Sequence, residues 1–117
     1  MTDRKAEASA HKPKMSLVPG EVLDEVIAAL TEGAAKHGGP LNWRGGGVRS
    51  TVYFDATMRH VRAWWRGEDL DAESGLHHLT KAISSLMVLR DAQLHGACID
   101  DRPGAVSSCS CPTLPSK

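Results

Sequence analysis

Three stretches of this chain repeat their apolar residues at helical spacing, and no stretch alternates apolar with polar residues over a run. That combination points to packed helices and away from a sheet. The first stretch runs from about Pro19 to His37, with Val22, Leu23, Val26, Ile27, Leu30 and Ala34 on its apolar side. Pro19 suits a first helical turn, and Gly38-Gly39-Pro40 stops the helix. The second runs from about Ser50 to Arg66, where Tyr53, Thr57, His60, Val61 and Trp64 share a face. Ser50 is its expected N-cap and Gly67 its stop. The third is expected from Asp71, as cap, to His95, with Leu76, Leu79, Ile83, Leu86 and Leu89 in register and Gly96 as stop. The one β-like run, Val48-Arg49-Ser50-Thr51-Val52-Tyr53-Phe54, flows into the second helical pattern. The sequence therefore predicts an all-α domain.

The chain has 117 residues, a length that suits one domain. Residues 1–14 are charged and lack periodicity. Residues 98–117 include a run rich in Ser, Pro and Gly that cannot bury enough apolar surface to offset ordering entropy. Both ends are expected to be disordered tails, leaving a folded part over 15–97. So small a core favours association into a homo-oligomer. Fourteen basic residues balance fourteen acidic ones, which argues against a whole-protein nucleic-acid footprint. No apolar run is long enough to span a bilayer, and the N-terminus does not read as a secretory signal. Three cysteines, Cys98, Cys109 and Cys111, do not form a disulfide framework, and a reducing cytoplasm is the expected compartment.

Several groups of residues can carry chemistry. Glu21, Asp24 and Glu25 lie at i, i+3 and i+4, a spacing that suits either a divalent cation or a helix N-terminal dipole. Asp55, Arg59, Arg62 and Arg66 form a charged stripe that is either a solvated face or a phosphate-facing surface, with His60 beside it. The densest group is Glu68-Asp69-Leu70-Asp71-Ala72-Glu73-Ser74-Gly75-Leu76-His77-His78, four acids and two imidazoles at one helix start. Carboxylate and imidazole together suit a divalent metal, while Asp71 and Ser74 also suit a cap. The Gly-rich loop 38–49 carries Asn42, Trp43 and Arg44, an amide, an aromatic face and a guanidinium that can hold a base and a phosphate or anchor the loop. Lys36 stands at the end of the first helix. His95, Cys98, Cys109 and Cys111 match no common zinc spacing. Absence of GxxxxGK[ST], GxGxxG and GxSxG removes the P-loop, Rossmann and α/β-hydrolase readings.

Taken in order, Lys12 to Pro19, Gly33 to Gly38, Asn42-Trp43-Arg44, Asp55 to His60, Trp64 to Asp69 and Asp71 to Leu79 resemble the phage-associated dATP/dGTP diphosphohydrolases. That family is grouped with MazZ-type enzymes among the MazG-like all-α nucleotide pyrophosphohydrolases. The resemblance spans roughly residues 12–90, with departures at His37 and Lys81. It implies a small helical bundle that hydrolyses dATP or dGTP to the monophosphate and pyrophosphate, using magnesium, manganese or cobalt and shaping a phage nucleotide pool. On that reading Glu68, Asp69, Asp71 and Glu73 are expected metal ligands, and Glu73, His60 and His78 catalytic. Lys36, Asn42, Trp43, Arg44, Asp55 and Arg59 are expected to hold the substrate. The rival reading is a non-enzymatic helical module that binds a partner through Arg59, Arg62 and Arg66.

Overall fold

The computed structural model describes residues 3–105. A short helix α1 (Arg4–Ala8) and a single 3-10 turn (Met15–Leu17) precede the domain. The framework follows: α2 (Gly20–His37), α3 (Trp43–Gly46), β1 (Val48–Arg49), α4 (Ser50–Trp65), α5 (His78–Leu94) and β2 (Cys98–Ile99). Helix α5 is the hub. Helix α4 packs along one side of it and α2 along another, and these two touch each other far less than either touches α5. The expected all-α class holds, with one two-residue parallel pairing between β1 and β2 as its only sheet among the described residues.

Helix α2 forms where its periodicity puts it. Val26 and Ala29 are buried on the side facing the domain. Gly38 ends it in the left-handed region at φ 108°, with its N–H bonded back to the Ala34 carbonyl. The buried core is built of small side chains, among them Ala29, Ala63, Ala82, Ala92 and Ala97, which lets the helices approach closely. Val48, Ala92, Ala97 and Cys98 form a continuous cluster, with Trp43, Tyr53 and Leu89 packed against it.

Four sequence expectations shift. Helix α5 starts at His78, not Asp71. The Asp71 carboxylate instead accepts from Ser74 N–H at 2.9 Å and Ser74 Oγ at 2.7 Å, closing a turn that Gly75, at φ 75°, completes. His77 caps the helix, its Nδ1 accepting from Leu79 N–H at 3.0 Å. Ser50 is not a cap either. It is buried, with Oγ against Cys98 Sγ at 3.5 Å and the Ile99 carbonyl at 3.4 Å. The first turn of α4 is held from the far end of the chain, where Asp101 accepts from Thr51 N–H at 2.9 Å and Thr51 Oγ1 at 2.5 Å. At the N-terminus, Asp3 accepts from Lys5 and Ala6 N–H and so holds α1, none of whose residues is buried.

The fourth shift concerns the boundary at residue 97. Cys98 is buried and pairs with Val48, and Ile99 pairs with Arg49, so the packed unit continues to Asp101. Cys109 and Cys111, two of the four residues of the Cys/His set, and with them most of the expected tail, lie outside the described residues. A chain that stops after Arg102 is expected to melt like the whole protein. One that stops after Ala97 loses a buried core residue and the α4 cap, and is expected to lose about 2 kcal/mol or more. Paired denaturant titrations of the two truncations check this.

Candidate functional site

The link between α4 and α5 builds the site. Gly67, at φ 102°, turns the chain out of α4, and the Glu68 N–H bonds back to the Ala63 carbonyl at 3.0 Å. Leu70 and His77 then form an antiparallel bridge, with Asp71 N–H on the Leu76 carbonyl at 2.8 Å and His78 N–H on the Asp69 carbonyl at 2.9 Å. This closed loop fixes the acids relative to the two helices. It sets Asp71 beside His60 from α4 and His78 from the start of α5.

His60, Asp71 and His78 each offer one ligand atom, and these atoms lie within 4.8 Å of one another. No other such trio of His, Cys, Asp or Glu occurs among the described residues. The two imidazoles face each other through Nδ1, 2.8 Å apart. His78, whose side chain is 4% exposed, places its Nε2 2.6 Å from Glu68 Oε2. A carboxylate only accepts, so the neutral His78 ring carries its proton on Nε2 and turns a lone pair on Nδ1 toward His60. Burial holds the His60 imidazole below its ordinary pKa, opposed by the Asp71 charge. Asp71 is held below the usual carboxylate range, chiefly by the Ser74 hydroxyl. Both Ser74 bonds fall on Asp71 Oδ2, and Oδ1 accepts none among the described residues.

These groups open into a cavity of about 470 Å³ between α2, α4 and α5. Lys36, Arg59 and Lys81 bring positive charge to its walls, and Glu73 lies at its rim. Lys36 Nζ meets Glu73 Oε2 at 3.0 Å, and that contact raises the lysine pKa. Lys81 Nζ meets Glu32 Oε1 at 3.1 Å. Both lysines thus line the cavity while each is paired to an acid.

The sequence-predicted residues divide accordingly. His60, His78, Asp71, Glu73, Lys36 and Arg59 come together around the cavity. Glu68 stands behind His78 instead of joining the ligand trio. Asp69 is largely exposed, its Oδ1 4.0 Å from His77 Nε2. Arg44 is drawn away to Asp91, which accepts from its Nε and a terminal nitrogen, each at 2.8 Å, and from Trp43 Nε1 at 2.8 Å. These donors, Arg44 foremost, hold the Asp91 carboxyl down at about 2. Asp55 sits with Arg59, Arg62 and Arg66 on the outer face of α4. Asn42 and Trp43 line a second, smaller cavity beside the first. On α2, Glu25 accepts from Thr80 Oγ1 at 2.7 Å, so that acid pins α2 to α5. Lys81 was not among the expected binding residues. Its i+3 spacing from His78 on one helix face is the signal that could have found it.

Fold and site together define a small helical domain whose cleft combines an imidazole–carboxylate cluster with a cationic rim. The chain belongs to the dATP/dGTP diphosphohydrolase family: the family's N-terminal domain profile matches residues 2–102. A curated relative from Salmonella phage PMBT28, a "dATP/dGTP diphosphohydrolase", is 36% identical over 78 residues. That match covers 67% of this chain and 26% of the relative, so the chain spans about a quarter of the relative's length. The resemblance read from the sequence is thereby borne out. No solved structure matches the chain.

Proposed function

We propose that this domain hydrolyses dATP or dGTP to the monophosphate and pyrophosphate, assisted by a divalent metal, and so lowers purine deoxynucleotide levels in a phage-infected cytoplasm. The observation that carries this reading is the convergence of His60, Asp71 and His78 on a cavity that also receives Lys36, Arg59 and Lys81. Family membership and the named phage relative support it.

The donor set fits a metal. Two imidazoles whose Nδ1 atoms face each other at 2.8 Å stand beside one carboxylate, the nitrogen and oxygen donors that a divalent transition ion takes. His60 and His78 would supply those nitrogens and Asp71 an oxygen. Imidazole donors favour manganese or cobalt over magnesium, which prefers oxygen. A divalent ion there supplies Lewis acidity, neutralising phosphate charge and lowering the pKa of a nucleophilic water. Glu68 fixes the tautomer and direction of His78 as a positioning residue. Lys36, Arg59 and Lys81 neutralise the polyphosphate and align it. Lys36 reaches phosphate by leaving Glu73, a solvent-exposed pair that screening keeps weak. Glu73 holds that lysine in place at the cavity's edge and is the proposed acceptor of the water's proton.

The partner-binding alternative rests on Arg59, Arg62 and Arg66, whose stripe already carries Asp55, and of the three only Arg59 also faces the cavity. Self-association is part of the proposal. Ile27, Phe54, Leu86 and Trp65 are all more than half exposed, large apolar side chains of the kind that a second copy can cover. No helix among the described residues is long and apolar enough to cross a membrane. Pyrophosphate release from all four dNTPs and NTPs, with magnesium, manganese or cobalt and with chelator, tests the function. The expected result is release from dATP or dGTP that is strongest with manganese or cobalt and absent with chelator. Release of none of the products under any metal overturns it.

A further inference from the structure

We propose that the small cavity beside the metal–phosphate cleft is the nucleobase subsite, with Gly33 as its floor and Asn42 reading the base edge. The inference rests on the nucleotide-hydrolase reading above. The cavity measures about 120 Å³, the scale of one planar heterocycle, and lies between α2, α4 and α5. It adjoins the larger cleft directly: His37 and Lys81 line both. A nucleotide with its phosphates at Lys36 and Lys81 therefore has its base end next to this opening.

The walls suit a base. Trp43 and Tyr53 bring two aromatic side chains to the cavity, and neither ring contacts the other among the described residues. The indole is held in place by its bond to Asp91 and by packing on the core cluster. Rigid aromatic walls favour stacking with a planar heterocycle. Burial raises the Tyr53 phenol pKa, and its hydroxyl makes no hydrogen bond among the described residues. Asn42 spends one N–H on the Gly39 carbonyl at 3.0 Å. Its carbonyl oxygen and second N–H remain for a base edge that shows a donor beside an acceptor.

Gly33 is the residue hardest to explain without a ligand. It lies inside α2, where glycine weakens a helix relative to alanine. Its backbone is not in the left-handed region, and a Cβ built there meets nothing within 4 Å. Neither conformation nor packing against the protein requires glycine. The open space in front of it is the cavity.

The test uses the full chain with two substitutions at Gly33 and one at Asn42, probing binding by calorimetry with dATP, dGTP and inorganic tripolyphosphate. Gly33→Leu fills the cavity from its floor. It is expected to weaken dATP and dGTP binding tenfold or more while leaving tripolyphosphate binding within twofold. Gly33→Ala adds one methyl group and a better helix former, so it is expected to raise Tm and still weaken the nucleotides. Asn42→Ala is expected to weaken nucleotides and spare tripolyphosphate. Unchanged nucleotide binding in Gly33→Leu, or equal losses for nucleotides and tripolyphosphate, overturns the subsite. Should Gly33→Leu fail to fold, unchanged nucleotide binding in Gly33→Ala and Asn42→Ala overturns it equally. A wild-type chain that binds tripolyphosphate and no nucleotide overturns the subsite together with the function; one that hydrolyses dATP or dGTP while these variants bind normally overturns the subsite alone.

Discussion

Replacing His78 with glutamine is expected to cut dATP or dGTP hydrolysis by roughly 10²–10³-fold, the usual loss when one electrostatic contact to a transition state is removed. The reason is geometric. Among the described residues His78 alone touches both His60, which its Nδ1 faces, and Glu68, which its Nε2 meets. Glutamine keeps a polar head in the buried position, so the pocket is not left with an apolar void, but it has no imidazole to offer an ion. His60→Gln is expected to lose activity to a similar degree, since its Nδ1 is the facing donor. Combining the two should cost little more than either alone, because residues that act as one unit are not additive. Turnover measured with thermal midpoint separates this from a packing role. A His78→Gln chain that melts several degrees lower and still turns over at near the normal rate would mean that the imidazole is structural. The site would then have to be sought among the acids of α2, where Glu25 is already bonded to Thr80.

The helices were legible in the sequence because each carries an apolar period of its own. On α2, Val26 is buried as the period expects, but Ala29 is buried outside that period and Ile27 within it is exposed; on α5 the expected Ile83 and Leu86 are exposed, and Ala82, Val88 and Ala92 are buried in their place. What the period could not give was the start of α5. Reading Asp71 to His78 as helix places Glu73 and His77 on one face, i to i+4. Those residues lie instead in a turn and a bridge, closed by Ser74 and by the positive φ of Gly75. In that geometry Glu73 swings to Lys36, 37 positions earlier in the chain. Asp71 alone of the four expected ligands joins the imidazoles. The pairing of His60 with His78 crosses from one helix to another and has no local signature. The same holds for Asp91, which fixes Trp43 and Arg44 from 48 and 47 positions away, and for Asp101, which reaches back 50 positions to Thr51. Composition marked residues 98–117 as a tail, yet two of its first residues sit in the sheet, because one buried thiol and a short pairing suffice to hold them.

The run of acids leaves one assignment that substitution can divide sharply. Glu68 contacts His78 at Nε2, on the side of the ring away from His60, so it is expected to govern metal affinity without touching the metal. Removing such an orienting carboxylate typically weakens a metal site 10–100-fold. Glu68→Ala is therefore expected to shift a manganese or cobalt titration by roughly that factor, while turnover at saturating metal recovers most of the way. Glu68→Gln keeps a carbonyl oxygen that accepts from His78 Nε2. The tautomer and the direction of Nδ1 survive, and the shift should be smaller than for alanine. A direct ligand behaves otherwise: alanine and glutamine would both leave a vacant coordination position, and added metal would restore little turnover. Isothermal titration with manganese, run beside turnover at increasing metal, reads both quantities. Equal losses in the two variants with no rescue would move Glu68 into the ligand set. Graded losses with rescue place it behind His78, where its 57% exposed carboxylate stays hydrated while the imidazole it orients is 4% exposed. That contrast is the physical basis of the expectation, because a carboxylate left in water is poorly placed to share an ion with a buried ring, yet well placed to hold that ring's proton.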